Sequence, residues 1–165
     1  PPHKRGGDVL DSQVRKEMVE LAIGSNPHFQ LSDLEIRRSG LSYTVDSLKE
    51  FRRIYPQDEL FLLVGVDSLL GIHKWKDYEK ILSRIKILVM ARYNSTDISL
   101  EERVDYYNRQ YGNNIEIVPS PIIEISSTNI RERIRQGKSI KYLLPQVVEE
   151  YIRENQVYTR EGYDG

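Results

Sequence analysis

Three hydroxyl side chains in a row, Ser126, Ser127 and Thr128, stand between an apolar run and a basic helical one in PIIEISSTNIRERI, residues 121–134. A helix amino terminus leaves its first backbone N–H groups without partners and carries the positive end of the helix dipole. An anion is readily held there. One hydroxyl at such a junction usually does no more than cap the helix, but three exceed the need of a single cap. Arg131, expected in the first turn, would sit badly at a positive dipole end unless something negative lay between them. The stretch points to phosphate.

Other residues suit the same chemistry. Asp67, in VGVDS, follows a glycine that lets backbone or ligand come close. A carboxylate there can accept ribose hydroxyls or help hold a phosphate-bound metal, while its plainer role would be to cap a helix with Ser68. Trp75 is the only tryptophan, and Lys74, Lys76 and Asp77 surround it. A lone tryptophan is most often core, yet charged neighbours suit a ring partly exposed to stack on a planar ligand. The loop SGLSYT, residues 39–44, is dense in hydroxyls and leads into a helix that Thr44 would cap. The opening PPHKR presents His3, Lys4 and Arg5 on a backbone stiffened by prolines, where the bland alternative is a frayed terminus. His3, His28 and His73 have no metal-ligand spacing, and neither a P-loop nor a G-x-G-x-x-G cradle is present.

The elements that must position these residues alternate along the chain. In DSQVRKEMVELAIG, Val14, Met18, Leu21 and Ala22 share one helical face, with Asp11 or Ser12 as cap and Gly24 as stop. HFQLSDLEIRR, residues 28–38, alternates imperfectly and predicts a strand. A helix follows from Thr44 to about Tyr55, with Leu48 and Phe51 inward. ELFLLVGVD and IKILVMA are continuous apolar runs of the kind buried on both faces of a parallel sheet, separated by a helical stretch, LLGIHKWKDYEKILSR. LEERVDYYNRQY predicts a helix, IEIVP a strand, and the hydroxyl junction opens a helix that Gly137 closes. A last helix is expected from about Gln146 to Glu154. The alternation argues an α/β fold with a mainly parallel sheet, in which ligands bind beyond the carboxyl ends of the strands. Asp67, Arg92 and the Ser126–Thr128 junction all follow predicted strands and are expected at that edge.

With 165 residues, 39% hydrophobic and 30% charged, the chain is expected to form a single domain, residues 1–165. Its 24 Lys plus Arg against 25 Asp plus Glu lack the bulk basicity of a protein that grips long nucleic acid. There is no cysteine, and no run approaches the roughly 20 apolar residues of a membrane span. A cytoplasmic protein with neither nucleic-acid nor membrane partner is expected.

The order PPHK, SYTVDSL, GVDSLLGIHKWKDYEKIL, VMAR, EISSTNIRERI and GKSIKYLLPQVVEEYI resembles bacterial nicotinate-nucleotide adenylyltransferases, of the nucleotidyltransferase α/β-phosphodiesterase superfamily, over essentially the whole chain. The resemblance implies a doubly wound, Rossmann-like nucleotidyltransferase fold and transfer of AMP from ATP to nicotinate mononucleotide in the making of NAD. Nicotinamide mononucleotide or phosphopantetheine as acceptor, or a non-catalytic nucleotide-binding fragment, are the alternatives. It implies Mg²⁺ with ATP and leaves a homo-oligomer open. By the same resemblance Ser126, Ser127, Thr128 and Arg131 form the ATP phosphate site, and Lys4 is a second phosphate contact, with Arg131 and Lys4 the catalytic residues. Thr44 and the backbone just after Trp75, at Lys76, hold the pyridine carboxylate. Trp75 stacks on the ring, and Asp67 and Arg92 contact the mononucleotide. The family carries G-G-T-F-D-P-x-H-x-G-H upstream of P-P-H-K. This sequence starts at P-P-H-K, so the fold is expected to be N-terminally incomplete by a first strand–helix–strand, and residues 1–165 alone to be inactive.

Overall fold

A computed structural model describes residues 10–92, 98–112, 114–121 and 123–159. Its elements fall into two units, one within Arg38–Ile122 and the other drawing on the segments either side of it. The first unit is built on strands β1 (Phe61–Gly65), β2 (Lys86–Arg92) and β3 (Ile115–Ser120), all parallel, in the order β1-β2-β3. Around them come helices α3 (Thr44–Ile54), α4 (Val66–Leu70), α5 (Tyr78–Arg84) and α6 (Ile98–Tyr111). The predicted α/β class with a parallel sheet is what the chain adopts.

Strand pairing sets which side chains meet. Leu62 lies opposite Ile87, and Val64 opposite Val89, whose own β3 partner is Ile117. These residues pack with Leu69 of α4, Ile81 and Leu82 of α5, and Leu100, Val104 and Tyr107 of α6 into one core. The opposite face differs from expectation. ELFLLVGVD was expected to be buried on both faces, but Phe61 is 49% and Leu63 61% exposed. Alternation, not a two-sided apolar strand, describes β1, and Lys86 sits directly opposite Phe61 on that open face. The carboxamide of Asn108, near the end of α6, accepts from the Ile115 N–H and donates to its C=O, both at 2.9 Å, and so fixes where β3 begins.

Two local readings are corrected. The single helix expected between β1 and β2 is broken into α4, a 3₁₀ turn at Ile72–Lys74 and α5. Gly71 closes α4, and Asp77, with φ of 52°, turns the backbone before α5. Residues 28–38 form no strand. They hold the short helix α2 (Leu34–Arg37), because Asp33 bonds Arg37 at 2.9 Å and Lys16 at 3.6 Å, and Asn26 Oδ1 takes the His28 N–H. Those local polar bonds outweigh a weak alternation that has no strand to pair with.

The second unit contains α2 together with α1 (Ser12–Ile23), α7 (Ser127–Arg135) and α8 (Gln146–Glu154). Of the two caps the sequence offers, Asp11 and Ser12, it is Asp11 that closes α1, its carboxylate accepting the Gln13 N–H at 2.7 Å. Val14, Met18 and Ala22 of α1 meet Ile130 and Ile134 of α7 around Ile140, Val148, Ile152 and Val157. Tyr151 donates to Glu17 at 2.6 Å, which holds that carboxyl below its ordinary value. Gly137, at φ of 64°, ends α7, with the Lys138 N–H reaching Arg133 O at 2.8 Å and the Gly137 N–H reaching Ile134 O at 3.0 Å. This is the double bond of a Schellman closure.

One-sided burial of the sheet gives a direct test. Ile87→Ala, at a fully buried position, should cost about 2–5 kcal/mol. Leu63→Lys should stay within about 0.5 kcal/mol. Denaturant unfolding followed by Trp75 fluorescence reports on this unit, and equal losses would contradict the open face.

Candidate functional site

Parallel pairing brings the carboxyl ends of the strands to one edge. Gly65 lies opposite Met90, and two residues further on Arg92 lies opposite Ser120. Asp67, in the first turn of α4, therefore follows β1 at the edge where β2 ends in Arg92, as expected from the sequence. Asp67 is exposed. The cap of α4 is Gly65, with no side-chain bond, so the capping role considered for Asp67 and Ser68 is not used. A Cβ built on Gly65 would meet nothing within 4 Å, and the space before it is open. The backbone of Arg92 ends β2; its side chain, and all of Lys4, lie outside the described residues.

The same unit joins the SYT loop to the segment after Trp75. Thr44 is the first residue of α3, but the cap position belongs to Tyr43 and no side chain closes it. The expectation that Thr44 caps the helix is corrected, since residue 44 is already helical and Asp46 N–H and Ser47 N–H bond the Tyr43 carbonyl. Across from this turn, Lys76 Nζ lies 3.2 Å from Asp46 Oδ2 and 4.5 Å from the centre of the Tyr43 ring. The hydrogen bond from Lys76 comes first among the causes that hold the Asp46 carboxyl below its ordinary 3.8. Trp75 is half-buried and packs against the core. It thus combines both readings offered by its sequence context, a body anchored in the core and a part left accessible. Among the described residues no backbone carbonyl accepts the Lys76 N–H. Asp46 and Tyr43 were not singled out from the sequence, and the thirty residues separating Asp46 from Lys76 leave no local signal.

The hydroxyl junction lies in the second unit. Ser126 is the cap of α7, its Oγ accepting the Asn129 N–H at 3.1 Å. Ser127 and Thr128 are therefore surplus to capping, and both are exposed. The first turn carries no acidic side chain. Arg131 is the fifth helical residue, beyond the first turn where it was expected, so the dipole repels it less than the sequence argument assumed. Its guanidinium reaches back instead, donating to Thr128 Oγ1 at 3.2 Å. A capping oxygen, the exposed Ser127 hydroxyl, helix amides and a cation turned back to Thr128 are thus gathered at one helix start, groups of the kind that hold anions.

Cavities among the described residues include two away from this junction. One, of about 830 Å³, runs between α1 and α8 and is lined by Glu17, Glu20, Leu21, Val147 and Tyr151. Its carboxylates would repel a phosphate and its walls are otherwise mainly apolar, so polar geometry, not cavity volume, locates the candidate site. Among the described residues no helix is long and apolar enough to cross a membrane.

Residues 1–133 match the cytidylyltransferase-like family. A protein of Moorella thermoacetica named "Probable nicotinate-nucleotide adenylyltransferase" is 42% identical over 166 residues, covering all of this chain and 76% of the relative. A Geotalea daltonii protein of the same name is 38% identical over 172 residues, covering 96% and 80%. In structure, the Plasmodium falciparum nicotinic acid mononucleotide adenylyltransferase complexed with NaAD superposes with a TM-score of 0.70 at 19% identity, covering 91% of this chain and 75% of that one. At that identity the likeness speaks for the fold.

The Asp46–Lys76 pair sets a pH dependence. A carboxyl held below its unfolded value stabilises the fold above that value, and the contribution is lost as pH falls through the folded one. Stability from this pair is therefore present above about pH 4 and declines below it. Asp46→Asn should lower the denaturation midpoint at about pH 7 and change it less at about pH 3. An equal change at both would mean that the ion pair contributes nothing.

Proposed function

Because this chain belongs to the cytidylyltransferase-like family, and within it to the nicotinate-nucleotide adenylyltransferases, we propose that it transfers AMP from ATP to nicotinate mononucleotide. The products are nicotinate adenine dinucleotide, a precursor of NAD, and pyrophosphate. The single observation that carries the reading is the α7 junction, where one hydroxyl caps, two more are left over, and Arg131 turns back toward them. In the transfer a phosphate oxygen of the mononucleotide attacks the α-phosphorus of ATP as the bond to pyrophosphate breaks. No protein nucleophile is needed. Catalysis consists of holding two anions in line and balancing their charge.

Each residue then has a task. Ser126, Ser127, Thr128 and Arg131 receive the triphosphate, with Lys4 as a further cation. Thr44 and the Lys76 backbone N–H take the pyridine carboxylate, and Trp75 stacks on the ring. Asp67 and Arg92 contact the rest of the mononucleotide. Asp46 holds the Lys76 side chain, which leaves the adjoining backbone N–H in a defined place. Mg²⁺ accompanies ATP in this reading. It is a hard cation usually held by phosphate oxygens, water and one or two carboxylates. Among the described residues no group of three His, Cys, Asp or Glu could hold a metal ion, and no step is routed through it. The absence of cysteine suits a reducing cytoplasm, where we place the reaction.

Pyrophosphate release from ATP with nicotinate or nicotinamide mononucleotide, measured on the full-length protein, tests the activity. Release should be faster with the acid, and none with either would overturn the reading. Arg131→Ala should weaken ATP binding roughly 10-fold or more, since charge-assisted hydrogen bonds are worth about 1.5–3 kcal/mol, while mononucleotide binding is kept. Calorimetry measures both, and an unchanged ATP affinity would remove Arg131 from the phosphate site. Trp75→Ala should raise the KM for the mononucleotide with little effect on ATP, because stacking on a base is worth about 1–3 kcal/mol. A variant that only melts earlier, with kinetics intact, would make Trp75 purely core.

A further inference from the structure

We infer that Tyr158 is a positioning residue for the nucleotide site, its ring fixing the guanidinium of Arg131 at the start of α7. The inference rests on the reading of Arg131 as a triphosphate ligand. The guanidinium carbon of Arg131 lies 5.9 Å from the centre of the Tyr158 ring, and its Nη2 donates to Thr128 at 3.2 Å. Among the described residues no carboxylate pairs with Arg131. That matters chemically: an acidic partner would neutralise the guanidinium and compete with phosphate, whereas an aromatic face orients it and leaves its charge available.

The ring is itself held at a backbone cost. Past the end of α8, Gln156 has φ of 51° and Tyr158 φ of 66°, so two residues other than glycine take the left-handed conformation within one turn. Such conformations persist only where the surrounding structure over-determines them. For Gln156 the reason is the closure of α8, with the Val157 N–H bonding Ile152 O at 2.9 Å and the Gln156 N–H bonding Arg153 O at 3.3 Å, so the unusual conformation is that of Tyr158. Val157 is buried in the core of its unit, and the Thr159 hydroxyl returns to Gln156 O at 2.8 Å. With Val157 sunk in the core, the next residue packs against the same cluster as Ile130 and Ile134 of α7 and lies against Arg131.

The test compares Tyr158→Phe, Tyr158→Leu and a ring-fluorinated phenylalanine at position 158, all in the full-length protein. Loss of an exposed cation–π contact corresponds to about a 2- to 5-fold change. ATP affinity should fall by that factor in Tyr158→Leu, stay near the parent value in Tyr158→Phe, and lie between them in the fluorinated variant. The KM for the mononucleotide should not move. In an Arg131→Ala background Tyr158→Leu should add nothing. Equal ATP affinity in all three variants, or additive losses with Arg131→Ala, would overturn the inference. Should Tyr158→Leu fail to fold, the fluorinated variant decides, because it alters the ring's charge distribution and barely its shape. If Arg131→Ala itself leaves ATP affinity unchanged, the phosphate reading falls and this inference with it. A weakened Arg131→Ala beside an indifferent position 158 sinks this inference alone.

Discussion

Parallel pairing of β2 with both neighbours is the constraint on which the first unit depends. Two parallel strands cannot be joined by a tight turn, so each connection must leave the sheet, cross over and return. The crossovers carry α4, α5 and α6, whose apolar side chains supply the cover for Ile87 and Val89. The same geometry makes every strand end at one edge. Val66–Asp67 leaves from β1 there, and β2 and β3 stop there at Arg92 and Ser120. The core and the edge that carries Asp67 are two results of one hydrogen-bonding pattern.

Charge is treated differently in the two units. Near α3, the Lys76 ammonium is already committed to Asp46 and to the Tyr43 ring, and the Lys49 ammonium approaches the same carboxylate at 3.5 Å. At α7 the cation is left without an acidic partner among the described residues, and a hydroxyl and an aromatic ring orient it. A committed lysine shapes a backbone, while an uncommitted arginine can meet an anion.

Much of this was legible where the governing forces are local. Asp11 as cap, Gly137 as closure and the span of α8 follow from bonds made within a few residues, and the surplus of hydroxyls at Ser126–Thr128 is visible in sequence because one helix start uses one cap. The reading failed where distant partners or competing local bonds decide. Residues 28–38 look like a strand until Asp33 is given Arg37 and Lys16. ELFLLVGVD reads as doubly buried because composition records apolarity and says nothing of which face meets helices. The contacts Asp46–Lys76 and Arg131–Tyr158 join separate segments, and no periodicity encodes them.

Asn108 carries a consequence for the order in which the sheet can assemble. Its two bonds to Ile115 close over seven residues, whereas β1 reaches β2 only after a whole crossover has been threaded between them. Chain-closure entropy grows with the length enclosed, so the corner between α6 and β3 costs less to close than the pairing of β1 with β2. A carboxamide that mimics a strand's own amide gives the first residue of β3 the pair of bonds a neighbouring strand would otherwise supply. The point at which β3 enters the sheet is thereby held by a single helical residue outside it.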